Sequence, residues 1–213
     1  MSFTIFPKNN DWTILYIFFL IVFIVFFILP MFLNTGMRVG EIGLRISCTS
    51  NLKQIGLSLK QYAMDYEDCF PDKDGWDGLD KLRAMDYLTD YGVYRCLSTS
   101  ARKDNSGALC KENISYIYFG GFNENDFNET VKANIPLAFD IPSNHTDHFE
   151  KPSNRNYYIN VLFMNGHVNN YKIKVKNCRE VIEALNSIFN YSPKHLKMLE
   201  QKAAIADQMY NLK

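Results

Sequence analysis

The sequence predicts an α+β fold: one transmembrane helix continues into a long helix packed on a small antiparallel sheet, and two helices close the chain. Three observations predict it. Residues 12–33 form a 22-residue run with no charged side chain, apolar except at Thr13 and Pro30. Cys48, Leu52, Ile55, Leu59, Tyr62 and Tyr66 recur at spacings of three and four, which places them on one face of a helix. Asn165-Gly166 stands between two runs with strand character, a strong local signal for a hairpin.

Residues 1–11 are a short flank. The run at 12–33 follows, about 33 Å long as a helix at about 1.5 Å per residue, enough to cross a hydrocarbon core of about 30 Å. Six of the 16 Phe lie in it, on every face, which leaves no polar side for water. Outside residues 1–37, which hold only Lys8 and Asp11, the chain carries 22 positive and 22 negative side chains. That balance excludes broad electrostatic capture of nucleic acid. Residues 34–67 read as a long amphipathic helix. Residues 68–178 read as an α+β globular part, with a short helical face at 79–88 and strands at 114–119, 135–139, 157–164 and 167–175. An Asn-Gly turn of type I′ would place both residues at positive φ. Residues 179–213 read as two C-terminal helices, the second capped by Ser192 with Pro193 at its first position.

The residues Ile-Ser-Cys-Thr-Ser-Asn-Leu-Lys-Gln-Ile-Gly-Leu-Ser-Leu-Lys-Gln-Tyr-Ala at 46–63, closed by Phe70-Pro71, resemble bacterial type IV pilin-like proteins related to type II secretion pseudopilins. Leu29-Pro30 in the apolar run, Tyr94-Arg95-Cys96-Leu97-Ser98 and the Asn-Val-Leu-Phe-Met-Asn-Gly-His-Val element at 160–168 extend the likeness from about residue 29 onward. The resemblance implies a non-enzymatic structural subunit of a type II secretion or type IV pilus-like envelope assembly. It would sit in the bacterial inner membrane as a single-pass protein, its C-terminal domain periplasmic or extracellular. Its partners would be the lipid bilayer and other pilin-like subunits or secretion components; no nucleic acid or small-molecule substrate is expected. The family's processing Gly, its mature N-terminal Phe and its Glu fall at Lys8, Asn9 and Thr13, and none is present. Cleavage at Lys8-Asn9 is therefore not expected. Nor does the subgroup's His-x9-Asp-Gly signature appear, since Arg155 and Asn165 stand at its ends. These departures favour the alternative of an envelope-anchored binding module that keeps the fold without assembling.

Few residues suggest chemistry. Asp72, Asp74 and Asp77 around Gly75 and Gly78 offer oxygen ligands for Ca²⁺, though without the spacing of an EF-hand; a solvated turn with a helix cap is the other reading. His145 and His148 could ligate zinc, but they fall in a loop with no fixed face and lack a helix-borne Glu. No catalytic or cofactor-binding residue is expected. The five cysteines form no Cys-x-x-Cys pair. Cys96 and Cys110 bracket a polar loop of 13 residues and make the natural disulfide if the domain lies outside the cytoplasm; buried free thiols are the alternative.

Overall fold

The computed structural model describes residues 10–97, 107–145 and 156–212. It divides into two compact units, Met1–Ile42 and Gly43–Lys213.

The first unit is helical throughout its described part: α1 (Asn10–Phe23), a π-helical turn (Ile24–Ile28) and the beginning of α2 (Leu29–Asp65). Tyr16, Phe18, Phe19, Phe23, Phe26 and Phe27 are all exposed, Phe26 at 69%. Among the described residues no helix is long and apolar enough to cross a membrane. The reason is division: α1 has only 14 residues, and α2 carries Arg38, Glu41, Arg45 and Lys53 beyond its apolar beginning. The single transmembrane α-helix expected over 12–33 is thus split among α1, the π-helical turn and the start of α2.

The second unit is α+β. It holds α3 (Gly75–Ala84), β1 (Tyr116–Tyr118), a one-turn α4 (Glu129–Lys132), β2 (Pro136–Asp140), β3 (Tyr157–Phe163), β4 (Val168–Ile173), α5 (Cys178–Phe189) and α6 (Pro193–Tyr210), with 3₁₀ turns at Tyr91–Tyr94 and Glu124–Asp126. The strands form one sheet in the order β1-β2-β3-β4, every pair antiparallel.

Successive side chains of a strand point to opposite faces. In β3 this separates two environments. Asn160 and Leu162 face α2: Asn160 accepts from the Thr49 hydroxyl at 2.8 Å, and Gly56 lies so close that a Cβ there would meet Leu162 Cδ1 at 2.7 Å. Phe163 faces the other way, its ring 5.6 Å from that of Phe189 in α5. The sheet is therefore covered on both faces by helices. That explains why β1 and β2 are buried at every residue, β2 reading as an apolar run up to its last residue, Asp140, whereas β4 carries Asn169, Asn170 and Lys172.

In α2, Cys48, Leu52, Ile55, Leu59 and Tyr62 are buried, the first four completely. Tyr66, expected on the same stripe, is 39% exposed and stacks on Tyr62 instead. The helix has already ended at Asp65: Glu67 and Asp68 take positive φ and the Asp68 amide returns to the Ala63 carbonyl at 2.9 Å. The helical face expected at 79–88 starts earlier and ends at Ala84, where Asp86 takes a positive φ, leaving Met85 exposed.

The hairpin at Asn165 and Gly166 differs from the expected type I′ turn. Only Gly166 has positive φ, at 91°. Its amide donates to the Phe163 carbonyl at 2.8 Å, and the Phe163 amide donates to the His167 carbonyl at 2.9 Å. This is a turn centred on Met164 and Asn165 with Gly166 as the bulge residue, a common three-residue hairpin loop. At the C-terminal end, Asn177 caps α5 through the Glu180 amide and Ser192 caps α6 through the His195 amide, with Pro193 at the first position of α6.

Candidate functional site

The α2-facing side of the sheet carries a buried polar cluster. Four parts of the chain build it: Cys48 from α2, Cys96 from the segment after the 3₁₀ turn Tyr91–Tyr94, Asp140 from the last position of β2, and His145 just beyond β2. Tyr116 of β1 pairs in register with Asp140, and Asn160 of β3 joins from the neighbouring strand. Cys48, Tyr116, Asp140, His145 and Asn160 are fully buried, and Cys96 is nearly so.

The Cys48 and Cys96 sulfurs lie 2.6 Å apart. His145 Nε2 is 3.3 Å from Cys96 Sγ and 3.9 Å from Asp140 Oδ2. Asp140 Oδ2 also accepts the Asn160 amide at 3.0 Å and the Asn160 side-chain Nδ2 at 2.7 Å. Its other oxygen, Oδ1, is buried with no hydrogen-bond partner among the described residues. Asn160 is held in turn: its Oδ1 accepts from Thr49 and from Asn170 Nδ2 at 2.9 Å.

Burial governs the electrostatics. It pushes the Asp140 carboxyl up to about 7, against the opposing pull of His145 and the Asn160 bonds. The Cys48 thiol is pushed well above its ordinary value, first by its hydrogen bond with Cys96, then by burial and the Asp140 charge. Tyr116 is raised mainly by burial.

Three chemical readings can be tested on this geometry. As a metal site, Cys48, Cys96 and His145 present two sulfurs and a nitrogen within 4.8 Å of one another, the one such group of three among the described residues. Thiolate bonds to zinc of about 2.3 Å in a tetrahedron hold two sulfurs roughly 3.7 Å apart, so the pair would have to open by about 1 Å. As a nucleophile-base pair, Cys96 and His145 are within reach of each other. Yet Cys96 and Asp140 approach the same imidazole nitrogen, so the carboxylate does not orient the far side of the ring as in a catalytic triad. As a thiol pair, the two sulfurs are poised for a covalent bond.

Of the residues singled out in the sequence, Cys48, Cys96 and His145 meet in this cluster, and His145, expected in a loop with no fixed face, is fully buried there; the acidic residues fall elsewhere. Asp72 pairs with Lys81. Asp74 accepts from the Gly120 amide at 2.8 Å and from Lys202 Nζ at 3.0 Å, and Asp77 is exposed in the first turn of α3. With two of the three carboxylates spent on lysines, they do not converge on a Ca²⁺ cage. The expected Cys96–Cys110 disulfide is not formed: the sulfur against Cys96 is that of Cys48. His148 lies outside the described residues. Sequence reasoning placed Cys48 only on the packing stripe and passed over Asp140 and Asn160. The available signal was a carboxylate and a carboxamide inside or ending otherwise apolar strands, where a polar group needs a buried partner.

A second, shallower feature is a groove lined by Tyr62, Tyr66, Asp72 and Lys81 near the end of α2. Comparison of the chain with family models, with curated proteins and with solved structures returns no match.

Proposed function

We propose that the chain is a membrane-anchored, non-enzymatic structural subunit of a bacterial envelope assembly, built on a pilin-like plan with its α+β domain outside the inner membrane. One observation carries the reading: the uncharged residues 12–33 are helical without interruption, in three consecutive pieces, and their described aromatic side chains are exposed. Although no one of the pieces is a sufficient span, a π-helical turn keeps the backbone hydrogen-bonded, and backbone satisfaction is what a bilayer demands of a crossing segment. The resemblance at 46–63 and 160–168 supports the assembly role. In that role the apolar helix holds the subunit until neighbouring helices pack against it.

The absence of Gly, Phe and Glu at residues 8, 9 and 13 favours a second reading, an anchored binding module that does not assemble. A photo-crosslinking residue placed at Phe19 in cells separates the two. Adducts to other apolar-helix proteins or to a second copy support the assembly; adducts to lipid alone support the binding module. Protease added to spheroplasts is expected to digest the domain. Digestion only after the membrane is lysed would contradict the outward placement.

A further inference from the structure

We infer that Cys48 and Cys96 are joined by a disulfide in the native protein, a covalent tie between α2 and the segment leading to β1. Two unbonded sulfurs 2.6 Å apart cannot rest there, since nonbonded heavy atoms settle at roughly 3.5 to 4 Å. The sulfurs must either separate or bond. Separation has nowhere to go: Cys48 is fully buried on the α2 stripe, and Cys96 is wedged between it and His145. Bonding requires an approach of only about 0.6 Å to the ordinary S–S length of about 2.05 Å. A metal would require the opposite movement, by about 1 Å, against the same packing.

The cross-link closes a loop over a sequence separation of 48 residues, long enough to restrict the unfolded chain substantially. It fastens α2 to the segment that follows the 3₁₀ turn Tyr91–Tyr94, beside the buried polar groups of the sheet. Cys69, Cys110 and Cys178 are left as thiols; Cys178 is buried at the start of α5, and its amide donates to Asp207 at 2.6 Å.

The chemistry is thiol–disulfide exchange with an external disulfide, before folding buries the pair. A thiolate of one cysteine attacks a sulfur of the donor, breaking its S–S bond and releasing one donor thiolate. The second cysteine then attacks the mixed disulfide and releases the other. Two cysteine thiols are oxidised, the donor disulfide is reduced to two thiols, and the two protons end on those thiols. In cells this rests on the outward placement proposed above, because cytoplasmic thiols stay reduced; the pairing itself does not.

The test is peptide mapping of the full chain isolated from the envelope in detergent, alkylated without reductant under denaturing conditions. The expected result is one linked peptide pair containing Cys48 and Cys96, with the other three cysteines alkylated. Reductant should lower the melting temperature by about 10 °C. Cys48→Ser or Cys96→Ser should abolish that dependence, and Cys110→Ser should leave it. A Cys96–Cys110 link, or one equivalent of zinc bound to a protein with both thiols reduced, would overturn the inference. If the chain is reduced as isolated but forms the 48–96 link on refolding with oxidised glutathione, the pairing stands and the outward placement fails. If refolding yields no such link, the pairing itself fails.

Discussion

The apolar residues of the first unit and those of α2 in the second are equally hydrophobic in character and opposite in environment. Phe18, Phe19, Phe26 and Phe27 are more than 60% exposed, whereas Cys48, Leu52, Ile55 and Leu59 are wholly buried. Both segments are helical, so helical geometry is not the difference. The difference is distribution around the helix. A stripe at three- and four-residue spacing is satisfied by one sheet, while apolar residues on every side of a helix need an apolar surround on every side. The lesson is that an apolar residue in this chain is a statement about the folded domain only where its neighbours on the helix are polar.

This contrast is sharpest under charge substitution. Leu52→Asp or Ile55→Asp should unfold the domain, because an unpaired buried charge costs several kcal/mol against a total stability of about 5 to 15 kcal/mol. Phe23→Asp should leave the domain's thermal unfolding unchanged while weakening membrane retention. Circular-dichroism melts of the three variants decide it; an Ile55→Asp protein that melts like the parent would show that the stripe faces something other than its own sheet.

A second contrast lies between the two faces of the sheet. Across β1 to β3 the face toward α5 is hydrocarbon, with Ile117, Phe139, Ile159, Val161 and Phe163, whereas the face toward α2 holds Tyr116, Asp140 and Asn160 beside Ala138 and Leu162. The raised Asp140 pKa makes that face sensitive to pH. Between the unfolded carboxylate value near 4 and the folded value of about 7, the folded chain keeps a proton that the unfolded chain has released. Asp140's contribution to stability is therefore fully present below about pH 4 and is lost as pH rises through about 7. Tyr116, raised by burial, stays neutral across this range. Asp140→Asn should gain stability relative to the parent between pH 4 and 8, by at most about 4 kcal/mol. Denaturant titrations at several pH values measure it; a constant difference would show that Asp140 titrates normally.

Smaller effects probe the contacts that set the layers. Gly56→Ala adds a Cβ against buried Leu162, so overpacking of about 1 to 3 kcal/mol should outweigh the gain in helix propensity of about 1 kcal/mol and lower the melting temperature. Gly166→Ala, at φ 91° with open space around it, should cost about 1 kcal/mol through backbone conformation alone. Equal melting of Gly166→Ala and the parent would mean that the bulge relaxes.

Much of this architecture was legible because it rests on local chemistry. The α2 stripe follows from spacing, α6 from Ser192-Pro193, and the β3–β4 turn from Asn165-Gly166. The exact turn was not legible, since Asn tolerates positive φ without requiring it, and here only Gly166 adopts it. The second helical layer on the sheet was hidden because a strand buried on both faces loses its alternation. The polar cluster was least legible of all. Cys48, Cys96, Asp140 and His145 are brought together by the topology of the sheet, and no short-range spacing records a meeting between residues 48 apart. The 96–110 pairing looked natural by loop length alone, which says nothing about where α2 brings Cys48.

The most direct test of the account is the partition of two chains between membrane and solution. Carbonate-washed membranes are expected to retain the full 213-residue chain, and residues 38–213 alone are expected to be soluble and to melt cooperatively. Release of the full chain into the carbonate supernatant, or a truncated chain that remains with the membranes, would contradict the claim that residues 12–33 are the anchor and the rest an independent domain.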